Sequence, residues 1–103
     1  MSKYILAYYG GTKPKSPEEG AENMAQWKAW VENLGDAVVN PGTPIGKTST
    51  VKFSGDISDG GDNTMHGYSV VQADSLDAAL VMAKGCPQTE GGTIEVSEMM
   101  EMH

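Results

Sequence analysis

Apolar residues recur along this chain at two different spacings, and the switches between them mark out its elements. Lys3 to Tyr9 is dense in Ile, Leu and Tyr and runs into Gly10-Gly11, which reads as a strand closed by a turn. After TKPK, the run Ser16-Pro17-Glu18-Glu19 combines a capping hydroxyl, a proline suited to the first helical position and a glutamate three residues past the cap. These residues predict a helix that continues to Gly35, a natural left-handed stop. Met24, Trp27, Val31 and Leu34 share one face of it, with Trp30 on the edge of that face and Glu22, Lys28 and Glu32 elsewhere on the wheel. Ala37-Val38-Val39 predicts a short strand, broken by Pro41-Gly42 and Pro44. The β-branched stretch Thr48 to Phe53 predicts another, and SGDISDGGDNT, residues 54–64, predicts a loop. His66 to Ala73 carries the strongest strand signal in the chain. Asp74 or Ser75 then caps a second helix with Leu76, Ala79, Leu80 and Ala83 on its apolar face, ended by Gly85 and Pro87. A glycine turn leads to a last strand, Thr93 to Glu98, and a short tail, MMEMH.

The order β-α-β-β-β-α-β predicts an α+β fold of the split βαβ, ferredoxin-like kind: an antiparallel sheet with two helices on one face. The 48–53 strand is then either an insertion or one arm of a hairpin. Two strands fail to alternate. Tyr68 and Val70 lie on one parity and Val71 and Ala73 on the other, while Leu6 and Tyr8 oppose Ile5 and Ala7. An antiparallel sheet with one wet face alternates cleanly. Two helices cover one face only, so the other needs a cover, and a second copy of the chain is the simplest one.

Length and charge narrow the functional classes. At 103 residues the chain suits one domain, 1–103, with a real core. No apolar run approaches the roughly 20 residues that span a bilayer, and the first residues are too polar for a secretory leader. The single cysteine excludes an internal disulfide, which points to a cytoplasmic protein. The net charge is −7, and all seven basic residues are lysines. Without an arginine fork or a basic stripe, neither nucleic acid nor an anionic membrane is an expected partner.

Candidate chemistry is sparse. Gly42 to Thr48, GTPIGKT, looks like a phosphate loop, but Pro41 stands where its first glycine belongs and no helix follows. It reads as a proline-glycine turn. Asp56, Asp59 and Asp62, with Asn63 and His66 nearby, carry oxygen and nitrogen donors, but their intervals fit no EF-hand loop and no glutamate closes the set. They read as turn formers, and no metal or other cofactor is expected. Cys86 follows a helix C-terminus, where the dipole disfavours a thiolate, so it reads as a small loop residue rather than a nucleophile. The tail Met99, Met100, Met102, His103 has soft-metal donors but reads as a frayed end. His66 is the one candidate acid or base, with no partner identifiable beside it. Met24, Trp27 and Trp30 make a broad aromatic face whose ordinary role is packing. Its alternative role is to line a pocket between helix and sheet, to which Tyr8 and Tyr68 add hydroxyls.

The segment GYSVVQADSLDAALVMAKGCPQTEGGTIEVSEMM resembles the C-terminal half of YCII-related proteins, and WKAWVENLGDAVVNPGTPIG resembles the first helix and second strand of their DGPF-domain branch. The resemblance runs from about residue 24 onward and implies a dimeric α/β barrel in which two ferredoxin-like sheets pack face to face. Some members carry a histidine on the first helix and an aspartate after the second strand, proposed as a catalytic pair. Counted back from Gly35, the histidine position falls on Met24, the PGTPIGK loop has no aspartate, and Cys86-Pro87 stands in place of an Asp-Pro. The expectation is therefore a homodimer that binds a small apolar molecule at Met24, Trp27, Tyr8 and Tyr68. The alternatives are a cofactor-less lyase or hydrolase using His66, and a structural or regulatory dimer without ligand.

Overall fold

The computed structural model describes residues 1–10, 15–61, 64–89 and 91–101. Its elements are β1 (Ser2–Gly10), α1 (Pro17–Leu34), β2 (Val38–Asn40), β3 (Ser49–Val51), β4 (Ile57–Asp59), β5 (Met65–Ala73), α2 (Leu76–Lys84) and β6 (Gly92–Glu98). Four strands form one sheet in the order β2-β5-β1-β6, with every neighbour antiparallel. Each helix connects two strands that flank a third, which is the split βαβ arrangement drawn twice and the ferredoxin-like α+β fold. Among the described residues no helix is long and apolar enough to cross a membrane.

The helix boundaries follow from their caps. Ser16 Oγ accepts from the Glu19 N–H at 3.1 Å, Pro17 opens the first turn, and the Gly35 N–H closes the last on the Val31 carbonyl. The Glu19 carboxylate accepts from the Lys15 N–H at 3.3 Å, one residue farther back than a standard capping box. Ser75, not Asp74, caps α2 by accepting from the Ala78 N–H at 3.2 Å. Gly85 keeps a right-handed φ of −84°, so α2 ends without a left-handed residue.

Tyr4, Leu6 and Tyr8 of β1 and Ser69, Val71 and Ala73 of β5 point under the helices and are buried. In α2 it is the small residues, Ala79 and Ala83, that meet the sheet, while Leu76 and Leu80 stay exposed. Alanine lets the helix axis come close, and the leucines then fall on its flanks. In α1 the expected order of the tryptophans is reversed. Trp30, expected at the edge, is 6% exposed and belongs to the core, whereas Trp27 is half-buried. A hydrogen bond across the helix layer fixes it there: Trp30 Nε1 donates to the Met82 carbonyl at 3.0 Å, which also accepts from the Gly85 N–H at 3.2 Å at the end of α2. Met24, expected on the packed face, is 73% exposed.

The opposite face of the sheet bears Ile5 and Val70, then Ala7 and Tyr68, as directly paired residues. Both parities of the central strands are thus apolar, and among the described residues no helix lies over this second face, where Val70 is nonetheless buried. The loop expected over 54–64 holds a strand. Ile57 pairs with Val51, so β3 and β4 form a separate two-stranded arm rather than part of the main sheet. Ser and Asp around Ile57 conceal the strand in the sequence.

Candidate functional site

A cavity of about 810 Å³ opens between α1 and the edge of the sheet. Its aromatic floor is built from two elements. Tyr8 of β1 meets Trp27 of α1 edge to face, with ring centroids 5.1 Å apart, and Trp27 meets Trp30 in the same way at 5.8 Å. Trp30 is locked by Met82, so Trp27 is held from behind and presents its free side to the cavity. Met24 and Val31, one turn to either side on α1, complete that wall.

The facing wall is the connection after β2, Pro41 to Pro44. It is pinned by backbone geometry. Asn40 Oδ1 accepts from the Gly42 N–H at 2.8 Å, and Gly42 has a φ of +78°. A side chain on Gly42 would collide with the Tyr68 carbonyl. Pro44 bridges to Gly67, and the Ile45 N–H donates to the His66 carbonyl at 2.8 Å. A buried relay ties this wall to the floor: the Tyr8 hydroxyl donates to Ser69 Oγ at 2.6 Å, and Ser69 Oγ donates to the Pro41 carbonyl at 2.8 Å. Gln88 anchors the end of β1, with Nε2 donating at 3.1 Å to both the Tyr9 and the Gly10 carbonyl.

Tyr8, Met24, Trp27 and Tyr68 all line this cavity. The two tyrosines do not offer hydroxyls side by side. Tyr8 spends its hydroxyl on Ser69, and burial pushes that phenol far above its ordinary value. Tyr68 stands opposite Ala7 and so shares the outer face of the sheet, the opposite parity from Tyr8. His66 is exposed on the cavity rim, and among the described residues no hydrogen bond joins its ring to a carboxylate. Lys28 and Glu32, which the wheel places off the apolar face of the helix, also border the cavity.

Ser69, the 41–44 wall and Gln88 are site residues that hydrophobic patterning does not single out. Asn40-Pro41-Gly42 does carry a turn signal, but nothing local says what the turn faces.

The other candidates are placed elsewhere. Cys86 is 1% exposed, and burial raises its thiol, with Tyr8 beside it. Burial therefore acts in the same direction as the helix C-terminus and keeps Cys86 a neutral thiol. Asp56 belongs to the turn of the arm, where Oδ2 accepts from Ser54 Oγ at 3.1 Å, and Asp59 pairs with Ser49 in β4. Asp62, Asn63, Met102 and His103 lie outside the described residues. Among the described residues no three His, Cys, Asp or Glu side chains gather closely enough to hold a metal.

No curated protein matches the chain, so no relative's activity bears on this cavity. The model of one protein family does match, the YCII-related domain, over residues 1–103. With the split βαβ sheet and a cavity against the first helix already in place, that match over the full length shows that the chain belongs to the YCII-related family.

Proposed function

We propose that this chain works as a homodimer that binds a small, largely apolar molecule in the cavity beside α1. The observation that carries the reading is the chemistry of the lining. About 810 Å³ falls within the range of small-molecule sites, and its walls are Tyr8, Trp27, Met24, Val31, Pro41 and Pro44. The lining is mainly apolar, with Asn23, Lys28, Glu32, Thr43, His66 and Gln88 also bordering it. Met24 stands at the mouth where some YCII-related proteins carry a histidine, which exchanges a proton carrier for a flexible apolar lining. The Tyr8 hydroxyl is occupied and resists ionisation. This arrangement favours holding a ligand over acid–base chemistry. It also differs from the filled helix–sheet interface of a purely structural dimer. A reducing, cytoplasmic setting agrees with the single buried thiol of Cys86.

A second reading, a cofactor-less lyase or hydrolase, draws on one observation: His66 lies on the rim of the same cavity. It needs a carboxylate in reach of that ring, and Glu32, which borders the same cavity, makes no hydrogen bond to it among the described residues.

The test separates the two. Aromatic and aliphatic alcohols are screened by thermal shift, and the best binder is titrated against tryptophan fluorescence. Trp27→Phe is expected to remove most of the fluorescence change. Met24→Trp is expected to abolish binding with the fold intact, because it fills space at a mouth already open to solvent. His66→Ala is expected to leave affinity within about twofold, the spread typical of surface changes. Full affinity in a folded Met24→Trp protein would place the site elsewhere.

A further inference from the structure

Around the floor of the cavity most hydrogen bonds are made within the chain. The Tyr8 and Ser69 hydroxyls, Asn40 Oδ1 and Trp30 Nε1 all have partners. Two oriented polar atoms on the lining do not. The first is the indole N–H of Trp27. Its neighbour Trp30 gives its own N–H to Met82, but Trp27 Nε1 finds no acceptor among the described residues. The second is the amide oxygen of Gln88. Both donor bonds of Gln88 Nε2 go to the Tyr9 and Gly10 carbonyls, while Oε1 accepts from nothing among the described residues. Trp27 and Gln88 are both half-buried, and both line the cavity. Among the described residues no buried side-chain nitrogen or oxygen lacks a partner, so these two atoms are within reach of solvent.

Neither group is free to turn away. The Trp27 ring is wedged edge to face against both Tyr8 and Trp30. The Gln88 amide faces two backbone carbonyls, which only accept, so its nitrogen is fixed toward them and its oxygen away from them. Gly92 leaves room for that amide, since a side chain there would strike Nε2. Gln88 lies in the turn Pro87–Thr89, which packs against α1, the helix that carries Trp27. One donor and one acceptor thus border the same apolar space. Charge gives no preference for an ion. Lys28 and Glu32 border the cavity four residues apart on α1 with opposite signs, and the whole chain, at −7, disfavours an anion.

We propose that the ligand is a neutral apolar molecule bearing a hydroxyl, such as a phenol, whose oxygen accepts from Trp27 Nε1–H and whose proton is donated to Gln88 Oε1. The inference rests on the cavity proposed above as a ligand site and names what that ligand carries. A hydroxyl is the smallest group that meets both atoms, because it accepts and donates at once. Trp27 and Gln88 then set specificity, while Met24, Val31, Pro41 and Pro44 supply apolar contact.

The experiment uses two pairs of probes of matched shape, phenol with toluene and anisole with ethylbenzene, titrated by calorimetry at pH 7. Phenol donates and accepts, anisole only accepts, and the hydrocarbons do neither. One net hydrogen bond corresponds to roughly 2- to 12-fold in affinity. Phenol is therefore expected to bind at least 10-fold tighter than toluene, and anisole at least 2-fold tighter than ethylbenzene. Trp27→3-benzothienylalanine replaces the indole N–H by sulfur and keeps the ring. It is expected to erase the anisole preference, weaken phenol and leave toluene within about twofold. Gln88→Met removes the fixed acceptor. It is expected to weaken phenol but not anisole, and unchanged anisole binding shows that the site survives the loss of the bonds to Tyr9 and Gly10. Phenol binding no tighter than toluene, or a phenol preference undiminished in both variants, overturns the hydroxyl and leaves the cavity standing. Failure of all four probes to bind, or equal binding to a folded Met24→Trp protein, sinks the cavity and the hydroxyl together.

Discussion

Replacing Ser69 by alanine isolates the relay that joins the floor of the cavity to its wall. Ser69 is buried, and its hydroxyl serves two masters, accepting from Tyr8 at 2.6 Å and donating to the Pro41 carbonyl at 2.8 Å. In Ser69→Ala the Tyr8 hydroxyl stays buried and loses its acceptor. Orphaning such a donor costs about 1–3 kcal/mol. The Pro41 carbonyl also loses its donor, but Pro41 is exposed and water replaces it. Tyr8→Phe is a different perturbation. It removes the donor outright, leaves Ser69 bonded to Pro41, and costs about 0.5–1.5 kcal/mol. In the double variant no hydroxyl remains to be orphaned. The two losses are therefore not additive, and the double variant is expected to be more stable than their sum by about 1 kcal/mol, well outside the 0.3–0.5 kcal/mol scatter of independent sites. Urea unfolding followed by tryptophan fluorescence measures all four proteins of the cycle. Additive costs, or a Tyr8→Phe penalty larger than that of Ser69→Ala, would refute the relay as the link between these elements.

Three further outcomes follow from the same geometry. Trp30→Phe is expected to cost about 2–4 kcal/mol, from lost burial and the lost Nε1–H bond to the Met82 carbonyl, while Trp27→Phe costs under about 1 kcal/mol because its ring is half-exposed; urea melts of the two variants check the ranking. Gly42→Ala meets both a φ of +78° and the Tyr68 carbonyl, so the wall must shift, with a loss of at least about 2 kcal/mol and of ligand affinity in the thermal-shift assay. Burial raises the Cys86 thiol and the Tyr8 phenol in the folded state, so the native protein holds protons that the unfolded chain releases. The stability they add is complete below the unfolded thiol value of about 8.5 and declines as pH rises beyond it, by up to about 1.4 kcal/mol per pH unit for each group titrating in the unfolded chain alone. Urea midpoints from pH 7 to 10 should fall, and Cys86→Ala should flatten the first part of that fall.

Local chemistry determined most of the chain's elements. Ser16, Pro17, Glu19 and Gly35 bracket α1, and Ser75 opens α2, because caps act within a few residues of themselves. The apolar runs Lys3–Tyr9 and His66–Ala73 likewise announced the two central strands. Helix spacing and strand parity also carried the directions of Trp27 and Tyr8, whose rings meet between α1 and β1. What the tertiary structure decided was everything that depends on a partner distant in sequence. Trp30 rather than Trp27 enters the core, where the Met82 carbonyl, 52 residues away, takes its N–H. Ser69 becomes a link in the site because β5 pairs with β1 in a register that sets it beneath Tyr8 and beside Pro41. Ile57 becomes a strand residue only by pairing with Val51 across a turn that Gly55 makes possible. Periodicity records which way a side chain points, and only the packed chain determines what it meets there.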